Sequence, residues 1–154
     1  MIPNQNSAHP INILLVEDNP GEARLALETL KESRLKNNLY IMEDGEEALF
    51  FLYKKGKFSD APTPDLILLD LNLPKKNGLE VLSIIKHDTR LKRIPVIILT
   101  ISSAVEDIIK SYDFYANCYI TKPIDLDKFT EVIKTIEDFW LSTVKLPPEN
   151  NEKP

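Results

Sequence analysis

The chain has 154 residues, 43% of them apolar, with 24 acidic against 19 basic side chains and a formal net charge of -5. That length suits one domain with a buried core, and an acidic balance with scattered Lys and Arg excludes a non-specific nucleic-acid surface, which needs clustered positive charge. The single cysteine, Cys118, excludes an intrachain disulfide framework and is expected to be a small core residue. Neither a signal-peptide pattern nor the roughly 20 apolar residues of a membrane span is present, so a cytoplasmic protein without a membrane partner is expected.

Residues 1–10 show no pattern and are expected to be a flexible segment before a domain spanning 11–142. A first strand is expected over Ile11 to Val16. Asn19 then offers an N-cap, Pro20 suits the first helical position, and Glu22 stands where it can reach back to the cap. Ala23, Ala26, Leu27 and Leu30 share one face of that helix. A second strand, Leu39 to Met42, precedes a helix opened by Asp44-Gly45, and the Lys- and Pro-rich stretch Lys54 to Pro64 is the longest surface connection. Leu66 to Leu69 and Val96 to Leu99 are continuous apolar runs, the mark of strands buried on both faces; between them a helix follows Asn77-Gly78. A fourth helix starts near Ser103, a fifth strand covers Cys118 to Thr121, and a last helix runs from Leu126 to Leu141 with Asp125 as its cap. Residues 143–154, with Leu146-Pro147-Pro148, are expected to form a flexible tail.

Short strands alternating with helices indicate βαβ units and a parallel sheet. Right-handed crossovers then favour a flavodoxin-like (βα)5 doubly wound sandwich with strand order 2-1-3-4-5, whose topological switch point lies between the first and third strands. Ligands bind at such a point, outside the carboxyl ends of the strands, and the residues there are all acidic: Glu17 and Asp18 after the first strand, Asp70 after the third. Carboxylates held together raise one another's pKa unless a cation intervenes. Two sources of positive charge follow, Lys122 after the fifth strand and a hard divalent ion, for which magnesium is the natural choice, with the Asn72 backbone carbonyl as a further oxygen ligand. A metal, a lysine and a carboxylate point to phosphoryl transfer onto Asp70. Thr100, after the fourth strand, and Lys122 can then meet phosphoryl oxygens.

The acidic pair in Leu14 to Asp18, the run Leu68-Leu69-Asp70-Leu71-Asn72-Leu73-Pro74 with Gly78, the pair Leu99-Thr100, and Tyr119-Ile120-Thr121-Lys122-Pro123 together resemble the receiver domains of two-component response regulators. The resemblance covers Ile11 to Trp140. It implies Asp70 as phosphoacceptor, Glu17, Asp18, Asp70 and the Asn72 carbonyl as the Mg2+ site, and Thr100 and Lys122 as phosphoryl contacts. It further implies a cis Lys122–Pro123 bond, a switch in which Tyr119 moves inward as the phosphoryl group draws Thr100, and a homodimer through helix 4, strand 5 and helix 5. Asp70 to Lys76, Lys92-Arg93-Ile94-Pro95 and Phe139-Trp140-Leu141 with the following Pro pair are similar to the single-domain response regulators of bacterial phytochromes. That narrower likeness implies a phytochrome-like histidine kinase as donor, with onward passage to a phosphotransfer protein as an open possibility.

Apolar residues of the last helix spread over more than one core-facing stripe, so part of the arc with Phe139 and Trp140, beside Tyr112 and Tyr115, is expected to be an interaction surface. His9 and His87 lack partners and read as surface residues. Two rivals stand beside the receiver reading. A haloacid-dehalogenase-type phosphatase also uses a nucleophilic aspartate, but after its first strand and with a second aspartate two residues on, where this chain has Asn72. An interaction module that keeps the fold and needs no phosphate has no physical reason to gather such charge.

Overall fold

The structure, a computed structural model, describes residues 9–148; residues 1–8 of the expected flexible segment and 149–154 of the tail lie outside it. Strands β1 (Ile11–Val16), β2 (Asn37–Met42), β3 (Leu66–Leu69), β4 (Val96–Thr100) and β5 (Cys118–Thr121) form one parallel sheet in the order β2-β1-β3-β4-β5. This is the flavodoxin-like arrangement expected from the alternation. All of β3 and β4 is buried, whereas β2 and β5, at the edges, are mostly half-buried.

Successive strand residues point to opposite faces, and the sheet therefore carries two cores. Leu14, Val16, Ile67, Leu69 and Ile98 pack on one face with α2 (Gly45–Leu52) and α3 (Gly78–His87). Ile13, Leu15, Leu66, Leu68 and Leu99 pack on the other with α1 (Pro20–Lys31) and α5 (Leu126–Ile136). Fully burying one such Leu or Ile stabilises by about 1.5–3 kcal/mol, which is why apolar runs of only four or five residues suffice to fix the two central strands.

Side-chain caps form at four helices, those of Asn19 and Asp125 as expected and those of Asp44 and Asn77 in addition. Asn19, Asp44, Asn77 and Asp125 each accept a backbone N–H in the first turn. At α3 the box closes both ways, Asn77 Oδ1 accepting from Glu80 N at 3.0 Å and Glu80 Oε1 from Asn77 N at 3.2 Å. At α1 only the Asn19 half forms, because the Glu22 carboxylate is taken elsewhere.

Helix α4 (Val105–Asp113) starts later than the Ser103 expectation and has no side-chain cap. Ser102 organises its start instead: its hydroxyl donates to Asp107 Oδ2 at 2.6 Å and accepts from Ala104 N at 3.3 Å. Of the α4 residues only Ser111 is fully buried, while Val105, Ile109 and Tyr112 stay exposed. The last helix is α-helical through Ile136 and widens into a π-helical segment, Glu137–Thr143. The wider turn seats Leu141 in the core and leaves Phe139 outside. No helix of the described residues is long and apolar enough to cross a membrane.

Candidate functional site

Adjacent strand ends assemble the site. Val16 and Leu69 are register partners in β1 and β3, so the residues that follow them leave the sheet side by side. Glu17 N donates to Met42 O at 2.9 Å and Asp70 N to Val16 O at 3.1 Å, which pins both backbones. Carboxylate oxygens of Glu17, Asp18 and Asp70 come within 4.8 Å of one another. Glu17 and Asp70 are buried, while Asp18 is exposed at the mouth. Three converging carboxylates are the donor chemistry of a hard divalent cation, and the residues fit such an ion.

Lys122 reaches this cluster from beyond β5. Its amide donates to Thr100 O at 2.6 Å, and its Nζ donates to Glu17 Oε1 at 2.8 Å, Glu22 Oε1 at 2.7 Å and Asp70 Oδ2 at 3.0 Å. Burial pushes the Glu17 carboxyl up to about 7, opposed by the neighbouring ammonium. For Lys122 burial works against the charged form, but hydrogen bonds to Glu17, Glu22 and Asp70 outweigh it and hold the amine above its ordinary value.

The remaining expected residues lie on the loop that follows Asp70 and on the neighbouring strands β4 and β5. Asn72 is exposed, and its amide donates to Asp70 Oδ1 at 3.1 Å, holding the loop against the carboxylate. Gly78 closes that loop from behind: a Cβ there would overlap the Asp70 carbonyl oxygen and Leu71 Cα, so only glycine admits the approach. Thr100 is fully buried, and its Oγ1 lacks a hydrogen-bond partner. Tyr119, half-buried in β5, donates its hydroxyl to Ser102 O at 2.8 Å. This joins the β4–α4 loop to the edge strand.

The cis Lys122–Pro123 bond is corrected: no peptide among the described residues is cis. Trans is intrinsically favoured by about 0.5–1 kcal/mol even before proline, and Lys122 reaches its three carboxylates with the bond in that form. Sequence reasoning assigned Glu22 to capping and missed its place in the site. The only signal was an acidic residue in the first turn of the helix that follows the acidic pair.

Tyr112, Tyr115 and Phe139 are exposed, and Ile101, Val105, Ile109, Ile124 and Leu126 are exposed as well. Trp140 is half-buried, packed on the α1–α5 core with Phe139 edge-on at 5.9 Å. Cys118 is half-buried against the same core, and His9 and His87 lie exposed.

The response regulator receiver domain family matches residues 13–134, a span that holds every residue of the acidic cluster together with Thr100 and Lys122. The chain belongs to this family. It is 49% identical over 138 residues to response regulator Rcp1 of Synechocystis sp., covering 90% of this chain and 94% of that one. The crystal structure of the Mn2+-bound form of Rcp1 superposes with a TM-score of 0.88, covering 90% of this chain and 100% of the other. That of the phosphorylated cyanobacterial phytochrome response regulator RcpA, also 49% identical, gives 0.88 over 90% of this chain and 99% of the other. This receiver is thus a response regulator of phosphorelay signalling, homologous to phytochrome response regulators.

Proposed function

We propose that this receiver takes a phosphoryl group from a phytochrome-like histidine kinase onto Asp70, with Mg2+ held by Glu17, Asp18, Asp70 and the Asn72 carbonyl. The carrying observation is the meeting of the buried Asp70 carboxylate with the Lys122 ammonium, 3.0 Å apart, inside the three-carboxylate cluster. A bound divalent ion supplies charge neutralisation for the incoming phosphoryl oxygens. A carboxylate oxygen of Asp70 forms the O–P bond while the bond to the donor imidazole nitrogen breaks, the electron pair leaving with that nitrogen. Lys122 neutralises one phosphoryl oxygen, and the unpartnered Thr100 hydroxyl donates to another. The kinase partner is inferred from the likeness to Rcp1 and RcpA.

Phosphorylation adds about 1.5 to 2 negative charges and shifts the population of a pre-existing rearrangement. Thr100 is drawn toward the phosphoryl group, Tyr119 turns inward and gives up Ser102 O, and α4, which fully buries only Ser111, repositions. The exposed apolar arc of α4, β5 and α5, with Tyr112, Tyr115, Phe139 and part of Trp140, is the proposed homodimer surface. Residues 11–142 act as the domain, the phosphoryl group can pass on to a phosphotransfer protein, and the setting is cytoplasmic.

The test is intact-protein mass spectrometry after incubation with acetyl phosphate, with and without Mg2+, on the native chain and on Asp70→Asn. A Mg2+-dependent gain of one phosphoryl that the variant lacks is expected. A labelled variant, or no labelling of the native chain, overturns the assignment.

A further inference from the structure

Glu22 is the one group bonded to Lys122 that the proposed chemistry leaves without a task. The sequence places Asn19 and Glu22 three residues apart at the start of α1, the same spacing as Asn77 and Glu80 at α3. At α3 the box is closed in both directions. At α1 the Glu22 carboxylate turns away from its own helix and accepts from Lys122 Nζ at 2.7 Å, a contact between residues 100 apart in sequence. The Asn19 N–H that Glu22 forgoes is taken by Glu17 Oε2 at 3.2 Å. A good local partner has been exchanged for a distant one inside the site.

The consequence follows from counting donors. An ammonium has three N–H groups, and all three of Lys122 are committed, to Glu17, Glu22 and Asp70. Full engagement of a phosphoryl oxygen requires weakening one of these bonds. The Glu17 and Asp70 side chains are 3% and 6% exposed, whereas that of Glu22 is 18% exposed. Water reaches only Glu22 appreciably, so its release carries the smallest desolvation cost. Glu22 also has somewhere to go, since the first turn of a helix favours a carboxylate even where it faces solvent.

We propose that Glu22 is a positioning residue, a displaceable latch that holds Lys122 in the unphosphorylated state and yields it to the phosphoryl group. The proposal rests on Asp70 being the phosphoacceptor. A latch that is closed in the ground state and open in both the transition state and the phosphorylated state slows phosphorylation and leaves hydrolysis of the acyl phosphate unchanged. A residue that merely anchors Lys122 or supports the fold does not split the two rates in this way.

The experiment compares the native chain with Glu22→Gln, which keeps the shape and loses the charge, and with Glu22→Ala. The initial rate of Mg2+-dependent labelling by subsaturating acetyl phosphate is followed by mass spectrometry, the decay of the phosphorylated form after donor removal is timed, and urea unfolding reports stability. Both variants are expected to phosphorylate about two- to fivefold faster, the worth of a partly exposed ion pair, with decay rates equal to the native value. Labelling that is unchanged or slower, or decay that changes in step with it, in a variant that unfolds at native urea concentrations overturns the latch alone. A variant that does not fold leaves the other to decide, and acceleration in neither overturns the latch. A native chain that takes up no phosphoryl, or an Asp70→Asn control that does, overturns the parent reading and the latch with it.

Discussion

Thr100→Val should stabilise the resting protein while removing its response. The Thr100 side chain is fully buried, and its Oγ1 lacks a hydrogen-bond partner, so folding strips the hydroxyl of water without compensation. An unsatisfied buried polar group costs about 1–3 kcal/mol. Valine keeps the branched shape that suits a central strand. A gain of about 1 kcal/mol is expected, which for a domain of this size raises Tm by about 2–4 °C. Urea unfolding with EDTA and no phosphodonor measures it without interference from site ligands. The same variant should still be labelled by acetyl phosphate yet lose the phosphorylation-dependent change in hydrogen exchange of α4. A loss of more than about 0.5 kcal/mol on substitution would show that the hydroxyl is satisfied in the resting fold, and the reasoning for its switch role would fail with it.

Lys122→Met leaves Glu17, Glu22 and Asp70 without their shared ammonium; urea unfolding in EDTA should show a loss of about 3 kcal/mol, part of it restored by Mg2+, and native stability in EDTA would refute the charge argument. Glu17 carries its carboxyl raised from 4.5 to about 7. The folded state therefore binds more protons than the unfolded one between those values, and the Glu17 contribution to stability is present below pH 4.5 and lost as pH rises through 7. Glu17→Gln should flatten the fall in unfolding free energy measured between pH 5 and 7.5, and Mg2+ binding near pH 6.5 should release protons detectable with a pH indicator. Gly78→Ala forces a Cβ into the Asp70 carbonyl; a cost of about 1–3 kcal/mol and slower labelling are expected, read by unfolding and mass spectrometry.

The strands were legible because burial on both faces leaves little freedom in composition: Leu66–Leu69 and Val96–Leu99 have one physical reading once bounded by polar turns. Four helix starts were legible because an Asn or Asp side chain satisfies a local N–H, a contact that needs no knowledge of the fold. The acidic pair, Asp70, Thr100 and Lys122 were legible as strand-end residues, and topology brought them together. What escaped depends on tertiary competition. Glu22 satisfies a local rule in sequence and breaks it in space, since a lysine 100 residues away offers a charged partner. The start of α4 was misplaced because Ser102 spends its hydroxyl on Asp107 and Ala104, a choice that neighbouring Ser103 could equally have made. Lys86 gave no sequence signal at all: its Nζ donates to Lys92 O, Ile94 O and Asn117 Oδ1, tying the end of α3 to the start of β5, and burial lowers its amine to about 8.

On the proposed reading, the imbalance of charge suits this arrangement to a switch rather than to a stable salt-bridge cluster. Glu17, Asp18, Glu22 and Asp70 face a single ammonium, and phosphorylation of Asp70 adds further negative charge to the same small volume. Under that reading, the addition would call for a bound divalent cation and for Lys122 to redirect its hydrogen bonds, a rearrangement that the resting state does not need. The buried Thr100 hydroxyl is a donor still uncommitted, and it lies on the strand that leads directly into Ser102, the anchor shared by Asp107 and Tyr119. Movement of Thr100 would, on the proposed reading, act first on α4, which fully buries only Ser111. The central strands are close-packed between two cores, so on the proposed reading displacement toward them would cost more than displacement toward α4.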